Sequence, residues 1–185
     1  NLLCFLLSFA MLVSLLTQVA FAESTNITNE ADFLLALENT ETTEMNITGN
    51  VSVDASIEKS IDINVKSGAT LTLNFDEGEN GISRVCNANI KVEDGANVIF
   101  ESKTLNDSKA KRYLIMNGSF TLESGASAKI NKKSNPVGGI LFQGEFKNDG
   151  TLDCGEMNMG QPNLYAYIKF GVDSGTVTNG YVAYN

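Results

Sequence analysis

The chain has no histidine and no tryptophan, two prolines and three cysteines among its 185 residues, and its only arginines are Arg84 and Arg112. Without histidine, neither a His-based catalytic triad nor a His-ligated metal site can be assembled from these residues. Scarce proline leaves no obvious linker, and the length suits a single domain. Basic residues are outnumbered 13 to 22, for a formal net charge of -9. A nucleic-acid partner would need clustered Lys and Arg to displace counterions from phosphate, so that class is excluded. An acidic balance of this kind is common on secreted, soluble surfaces.

Charge is also missing from the whole stretch Asn1 to Ala22, which is rich in Leu, Phe, Val and Ala. Residues 1–22 read as a signal peptide: Leu2 to Leu16 form the apolar stretch, and Ala20 and Ala22 stand at the two small-residue positions of a cleavage site. A retained membrane anchor is the rival reading, because the run approaches the roughly 20 residues that span a bilayer. Ser8, Ser14, Thr17 and Gln18 dilute it and favour cleavage. A charged leading segment and an initiator Met are both lacking, which leads us to expect that the reading frame begins earlier.

Cys4 does not close a lipobox, so no lipid anchor is expected there. Cys86 and Cys154 have two readings: a pair in an oxidising compartment, or two small buried hydrophobes. Cys86 stands nine residues before Gly95 and Cys154 four after Gly150. That places them in different columns of the repeat described next and favours the second reading. Two such cysteines do not make a zinc site.

What the chain does have is a repeat. Ile63-x-Val65-x-x-Gly68-Ala69-x-Leu71-x-Leu73, Ile90-x-Val92-x-x-Gly95-Ala96-x-Val98-x-Phe100 and Phe120-x-Leu122-x-x-Gly125-Ala126-x-Ala128-x-Ile130 are nearly the same sentence. Looser copies surround Gly150 and Gly175, and successive glycines are 27, 30, 25 and 25 residues apart. A period in this range marks one supersecondary unit stacking on copies of itself. Around each glycine apolar residues alternate with polar ones, so one face of each strand is buried and the other wet. The glycine interrupts the alternation without shifting its parity, as a tight corner does.

These observations predict an all-β, right-handed parallel β-helix over residues 45–185, built as a solenoid. An antiparallel sandwich is the alternative, because Asp94-Gly95, Asn117-Gly118 and Asp149-Gly150 can close hairpins. A recurring corner every 25 to 30 residues favours the coil. Rounds about 4.8 Å apart would make five of them a prism on the order of 25 Å long. Residues 23–44 read as a loose polar leader, 23–28, and a capping helix, Asn29 to Glu38. Thr28 or Asn29 would be its N-cap, and Phe33, Leu34 and Leu37 its buried face. Alternation continues to Gly180-Tyr-Val-Ala-Tyr-Asn185, from which we expect further rounds beyond. The polar stretches 104–112 and 131–136 read as loops between repeats, solvated or available for contact.

The order of these elements resembles the N-terminal part of bacterial pectate-lyase-like β-helix surface proteins, described as adhesin-like. The resemblance rests on the leader, the Asn29-Glu-Ala-Asp-Phe-Leu-Leu-Ala-Leu37 helix, Met45-Asn-Ile-Thr-Gly-Asn-Val-Ser-Val53, Ile61-Asp-Ile63 and the Gly-Ala-x-Leu corners, and covers 29–178. Thr42-Thr43-Glu44 departs from the Gly-Thr turn that such domains often place before the first strand. Relatives that cleave polygalacturonan hold Ca²⁺ on clustered aspartates and use an arginine as base. Here Arg84 stands at an inward position near Asp76-Glu77-Gly78-Glu79, which reads as a structural ion pair before it reads as a Ca²⁺ or catalytic site. The outward positions Asn64, Lys91, Thr121 and Lys147 form no carboxylate column of the kind glycoside hydrolysis needs. Tyr165, Tyr167, Tyr181 and Tyr184 offer faces for sugar rings or simply finish strands. Five Asn-x-Ser/Thr sequons, at Asn26, Asn46, Asn50, Asn106 and Asn117, are explained by composition alone.

The reading that follows is an exported, noncatalytic stalk or adhesin-like segment, secreted or at the cell surface, without cofactor or catalytic residues. Its partners would be a carbohydrate or a host or cell-surface protein. Membrane contact would come only through the signal peptide or an anchor elsewhere. The N-terminal part of a secreted polysaccharide lyase or glycoside hydrolase is the second reading, and a tail-spike protein a third that the signal peptide disfavours.

Overall fold

A computed structural model describes residues 23–74, 84–102, 112–132, 138–153 and 166–170. The chain is mostly β, with one short helix and three parallel sheets. The first sheet runs, in spatial order, β1 (Glu23–Ile27), β2 (Thr42–Ile47), β4 (Asp62–Val65), β7 (Asn89–Val92), β10 (Phe120–Leu122) and β13 (Phe146–Asn148). The second holds β3 (Asn50–Val53), β5 (Thr70–Asn74), β8 (Asn97–Ser102), β11 (Ser127–Lys132) and β14 (Thr151–Asp153). The third holds β6 (Arg84–Cys86), β9 (Arg112–Met116), β12 (Gly138–Phe142) and β15 (Ala166–Phe170). From β4 to β13 the chain visits the three sheets in unbroken rotation. All pairings between the described strands are parallel, which overturns the hairpin reading of Asp94-Gly95, Asn117-Gly118 and Asp149-Gly150.

Register turns the alternating sequence into buried columns. Met45, Ile63, Ile90, Phe120 and Phe146 align across the first sheet, beside Ile27, Ile47, Val65, Val92 and Leu122. Val51, Leu71, Val98, Ala128 and Leu152 do the same in the second. All are essentially inaccessible to water. Each fully buried aliphatic or Phe side chain contributes about 1.5–3 kcal/mol. Phe100 from the second sheet, Phe120 and Phe146 from the first and Phe142 from the third meet in one aromatic cluster, with centroids 4.7 to 6.1 Å apart. This cluster ties the inner faces of all three sheets together.

The corner from first to second sheet is the glycine corner. Ala69, Ala96 and Ala126 donate their N–H groups to the carbonyls of Lys66, Glu93 and Glu123 at 2.9, 2.9 and 3.0 Å. Gly68, Gly95 and Gly125 sit third in these turns at φ +78°, +73° and +83°, the requirement of a type II turn. The corners also stack, since Gly68 N–H donates to Gly95 O at 3.1 Å and Gly95 N–H to Gly125 O at 3.2 Å. Gly150 solves the same bend differently. Its N–H donates to the buried Asn148 Oδ1 at 3.0 Å, and a side chain there would run into the Ala126 carbonyl oxygen. Gly175 lies outside the described residues.

Two features near the N-terminal side differ from expectation. Residues 23–27 are not a loose leader: they form β1, which pairs in parallel with β2 and buries Ile27. Helix α1 (Glu30–Glu38) follows, capped by Asn29, whose Oδ1 accepts from Asp32 N–H at 3.0 Å. It buries Phe33 and Ala36, with Leu37 packed against the core, while Leu34 is 38% and Leu35 65% exposed. Positions 33, 36 and 37 share one helical face and 34 is turned about 100° away from 33, so the expected Leu34 contact is replaced by Ala36. The helix packs against β1, β2 and β3, the last being the end strand of the second sheet. Glu30 accepts from Asp54 N–H at 3.2 Å, and Lys59 Nζ donates to Asn39 O at 2.6 Å. Strand pairing in the first sheet begins at Thr42, earlier than the predicted Met45.

Candidate functional site

Inward columns of the described residues are predominantly apolar, so recognition falls to the outward faces and their corners. The first sheet presents Asn46, Asn64, Lys91, Thr121 and Lys147 in one register-aligned outward column. Its lower part is an amide ladder: Asn46 Nδ2 donates to Ser24 Oγ at 2.6 Å and Asn64 Nδ2 to Asn46 Oδ1 at 3.4 Å. Beside it Asn89 Nδ2 donates to Asp62 Oδ1 at 2.9 Å.

One step further along each strand, the corner holds a second column that the sequence reading missed. Lys66, Glu93, Glu123 and Asp149 each follow an aligned strand residue. The ladder continues through them, as Glu93 N–H donates to Val65 O, Glu123 N–H to Val92 O and Asp149 N–H to Leu122 O. Three carboxylates therefore stack on neighbouring strands, which lie about 4.8 Å apart. The glycine-centred alignment concealed this. Glu93 and Glu123 stand two residues before their glycine, and Asp149 only one before Gly150. Aligning on Ile90, Phe120 and Phe146 instead reveals it.

Each carboxylate meets a lysine. Lys66 Nζ is 2.7 Å from Glu93, Lys91 Nζ 2.7 Å from Glu123 and Lys147 Nζ 3.2 Å from Asp149. The Glu123 hydrogen bond, then its charge, raise the Lys91 ammonium above the ordinary lysine value. Slight desolvation opposes this and Glu93 adds to it. Lys91, Thr121, Glu123, Ser124, Lys147 and Asp149 line a shallow open depression of about 810 Å³. Its two cations and two carboxylates balance, and Thr121 and Ser124 add hydroxyls to its lining. Such a surface can hydrogen-bond a polar, weakly charged polymer.

The remaining predicted positions fall as follows. Arg84 is buried as the alternation implied, but its partner is Asp54, at 2.5 Å from Nη2. The acidic stretch 76–79 lies outside the described residues. Among the described residues no group of three His, Cys, Asp or Glu side chains could hold a metal ion. Cys86 is a buried free thiol whose pKa burial pushes up to about 11. Cys154, Ala20, Ala22, Tyr165, Tyr181 and Tyr184 lie outside the described residues. No helix among the described residues is long and apolar enough to cross a membrane. No protein-family model, curated protein or solved structure matches this chain.

Proposed function

We propose that this chain is a segment of an exported right-handed parallel β-helix, pectate-lyase-like in architecture, that works as a noncatalytic stalk or adhesin-like surface. Rotation of the chain through three parallel sheets supports the coil, and the apolar stretch before Glu23 supports export. The observation that carries the noncatalytic reading is the outward face of the first sheet. Every carboxylate of its corner column is held by a lysine, and the face is a shallow, self-neutralised depression. A surface of this kind binds through many weak polar contacts on a stiff support, to carbohydrate or to a cell-surface protein.

The stacking of Glu93, Glu123 and Asp149 favours a second reading, an N-terminal portion of a polysaccharide lyase or hydrolase, because carboxylates about 5 to 9 Å apart suit glycoside hydrolysis. One experiment separates the two. The protein is incubated with polygalacturonate and Ca²⁺, and with neutral β-glucans, while unsaturated and reducing ends are followed. The stalk reading expects retention of polymer on immobilised protein without new ends. Turnover that disappears in Glu123→Gln would establish the enzyme instead.

A further inference from the structure

The corner from third to first sheet holds a chemically distinctive pair, Asn117-Gly118. Asn followed by Gly is the dipeptide most prone to deamidation, because glycine leaves its backbone nitrogen open to attack the preceding side-chain amide. Here every group that must move is held. Asn117 Nδ2 donates to Asn87 Oδ1 at 2.8 Å, and Asn87 Nδ2 in turn donates to Glu58 O at 2.7 Å, an amide ladder through three successive rounds. Asn117 N–H and Gly118 N–H both donate to Cys86 O, at 2.8 and 3.4 Å, and Ser119 N–H donates to Asn89 Oδ1 at 3.0 Å. The nucleophilic nitrogen keeps its proton on a carbonyl that cannot take it away. The torsions needed for ring closure are fixed by neighbours one strand below.

Space around Gly118 is equally restrictive. A single added carbon on Gly118 would run into the Ala88 carbonyl oxygen, and one on Gly144 into the carbonyl of Gly118. An isoaspartyl linkage lengthens the main chain by one carbon at this corner. The carbonyls of Ala88 and Gly118, which already crowd this corner, would have to shift to admit it.

We propose that Asn117-Gly118 is a conditional modification site, dormant while the corner is stacked and converted when the round opens, after which its isoaspartyl product blocks re-closure. In the open state Gly118 N attacks Asn117 Cγ, forming the N–Cγ bond of a succinimide. The Cγ–Nδ2 bond breaks, and the amide nitrogen leaves as ammonia carrying the proton that Gly118 N loses through solvent. Water then opens the ring at either carbonyl, giving aspartate or isoaspartate at position 117. No oxidant or cofactor is required.

The test uses the full chain made in a bacterial host. It is aged at mildly alkaline pH in buffer and in a urea series, then digested and read by mass spectrometry, with isoaspartate counted by enzymatic methylation. Conversion at 117 is expected to be at least about tenfold slower in buffer than in denaturing urea and to rise in step with unfolding, as a reaction gated by local opening must. Asn87→Ala should raise the rate in buffer several-fold and leave the rate in urea unchanged. Chain aged in urea and diluted back should remain protease-sensitive in proportion to its isoaspartate content. A native rate equal to the denatured rate overturns the dormancy, whatever the variant does. Full recovery of protease resistance by isoaspartyl chain overturns the block to re-closure.

Discussion

Two kinds of connection in this molecule behave oppositely. Between first and second sheets, four residues separate Val65 from Thr70, Val92 from Asn97 and Leu122 from Ser127. Between second and third sheets, nine residues separate Asn74 from Arg84, nine separate Ser102 from Arg112, five separate Lys132 from Gly138 and twelve separate Asp153 from Ala166. At these three corners the length is constant because their glycines stack by hydrogen bonds and their alanines are buried, so an added residue would break both, whereas only two residues join Ile47 to Asn50 and Asn148 to Thr151. In the second, length varies without disturbing the strand register on either side. Unequal repeat spacing therefore arises mainly on one side of the molecule. The glycine corners carry Lys66, Glu93 and Glu123 of the ion-pair column, and the second connection accommodates insertions.

The sharpest way to break that comparison is to insert the same three residues, Gly-Ser-Gly, at each place. After Ser124 the insertion is expected to abolish cooperative unfolding, because the Gly95–Gly125 hydrogen bond and the register of β11 on β8 are both lost. After Lys109 it is expected to cost no more than about 0.6 kcal/mol, the loop-closure increment for doubling a flexible loop. Urea denaturation of both proteins reads the difference, and equal losses would show that the two connections are not distinct.

Next in size is the aromatic cluster that fastens the corners to the core. Phe120→Ala should destabilise by about 3–5 kcal/mol, as large-to-small changes at fully buried Phe do. Within the fixed corner itself, Gly125→Ala should cost about 1–2 kcal/mol for an L-residue at positive φ, and more if Asp94, whose carboxylate lies against that glycine, cannot turn aside. A loss below about half a kcal/mol would contradict the turn geometry.

The smallest effects are electrostatic. Cys86 ionises at about 11 in the folded chain against 9.0 for the free thiol, so the unfolded chain releases its proton first as pH rises. Its stabilising contribution is complete below 9 and is lost between 9 and 11. Lys91, also raised, contributes below the ordinary lysine value of 10.5 and loses that contribution as pH climbs through its folded value. Thermal melts should therefore decline on the alkaline side, and Cys86→Ala should flatten the earlier part of that decline. Glu123→Gln should lower the Lys91 titration observed by NMR with little change in melting temperature, since the pair is exposed.

Local features of this fold were legible in the sequence to the extent that they depend on neighbouring residues. Gly68, Gly95 and Gly125 announced corners because only glycine takes positive φ cheaply there. Alternation from Ile61 to Leu73 announced which side chains face inward. Thr28 or Asn29 announced a helix start, and Asn29 takes the cap by accepting from Asp32 N–H. Errors arose where a distant partner decides. Glu23–Ile27 is polar enough to read as a leader, yet β2 completes it as a strand. Leu34 is as apolar as Leu37, yet the sheet lies under Phe33 and Ala36. Arg84 forms the expected structural ion pair, but with Asp54, about one repeat earlier, where the sequence drew attention to the nearer acidic stretch 76–79.

What the sequence determined alone is therefore the alternation, the helix and the positions of the bends, because steric limits on φ and the pleat of a strand act within a few residues. Only the tertiary structure decided that the strands pair in parallel and in which register. Those hydrogen bonds join residues some 20 to 30 positions apart, and an Asp-Gly corner satisfies a hairpin and a stacked turn equally well. Register in turn brought Glu93, Glu123 and Asp149 into one column and laid Asn117 on Asn87. The chemistry of the surface is thus written by stacking, and single repeats do not contain it.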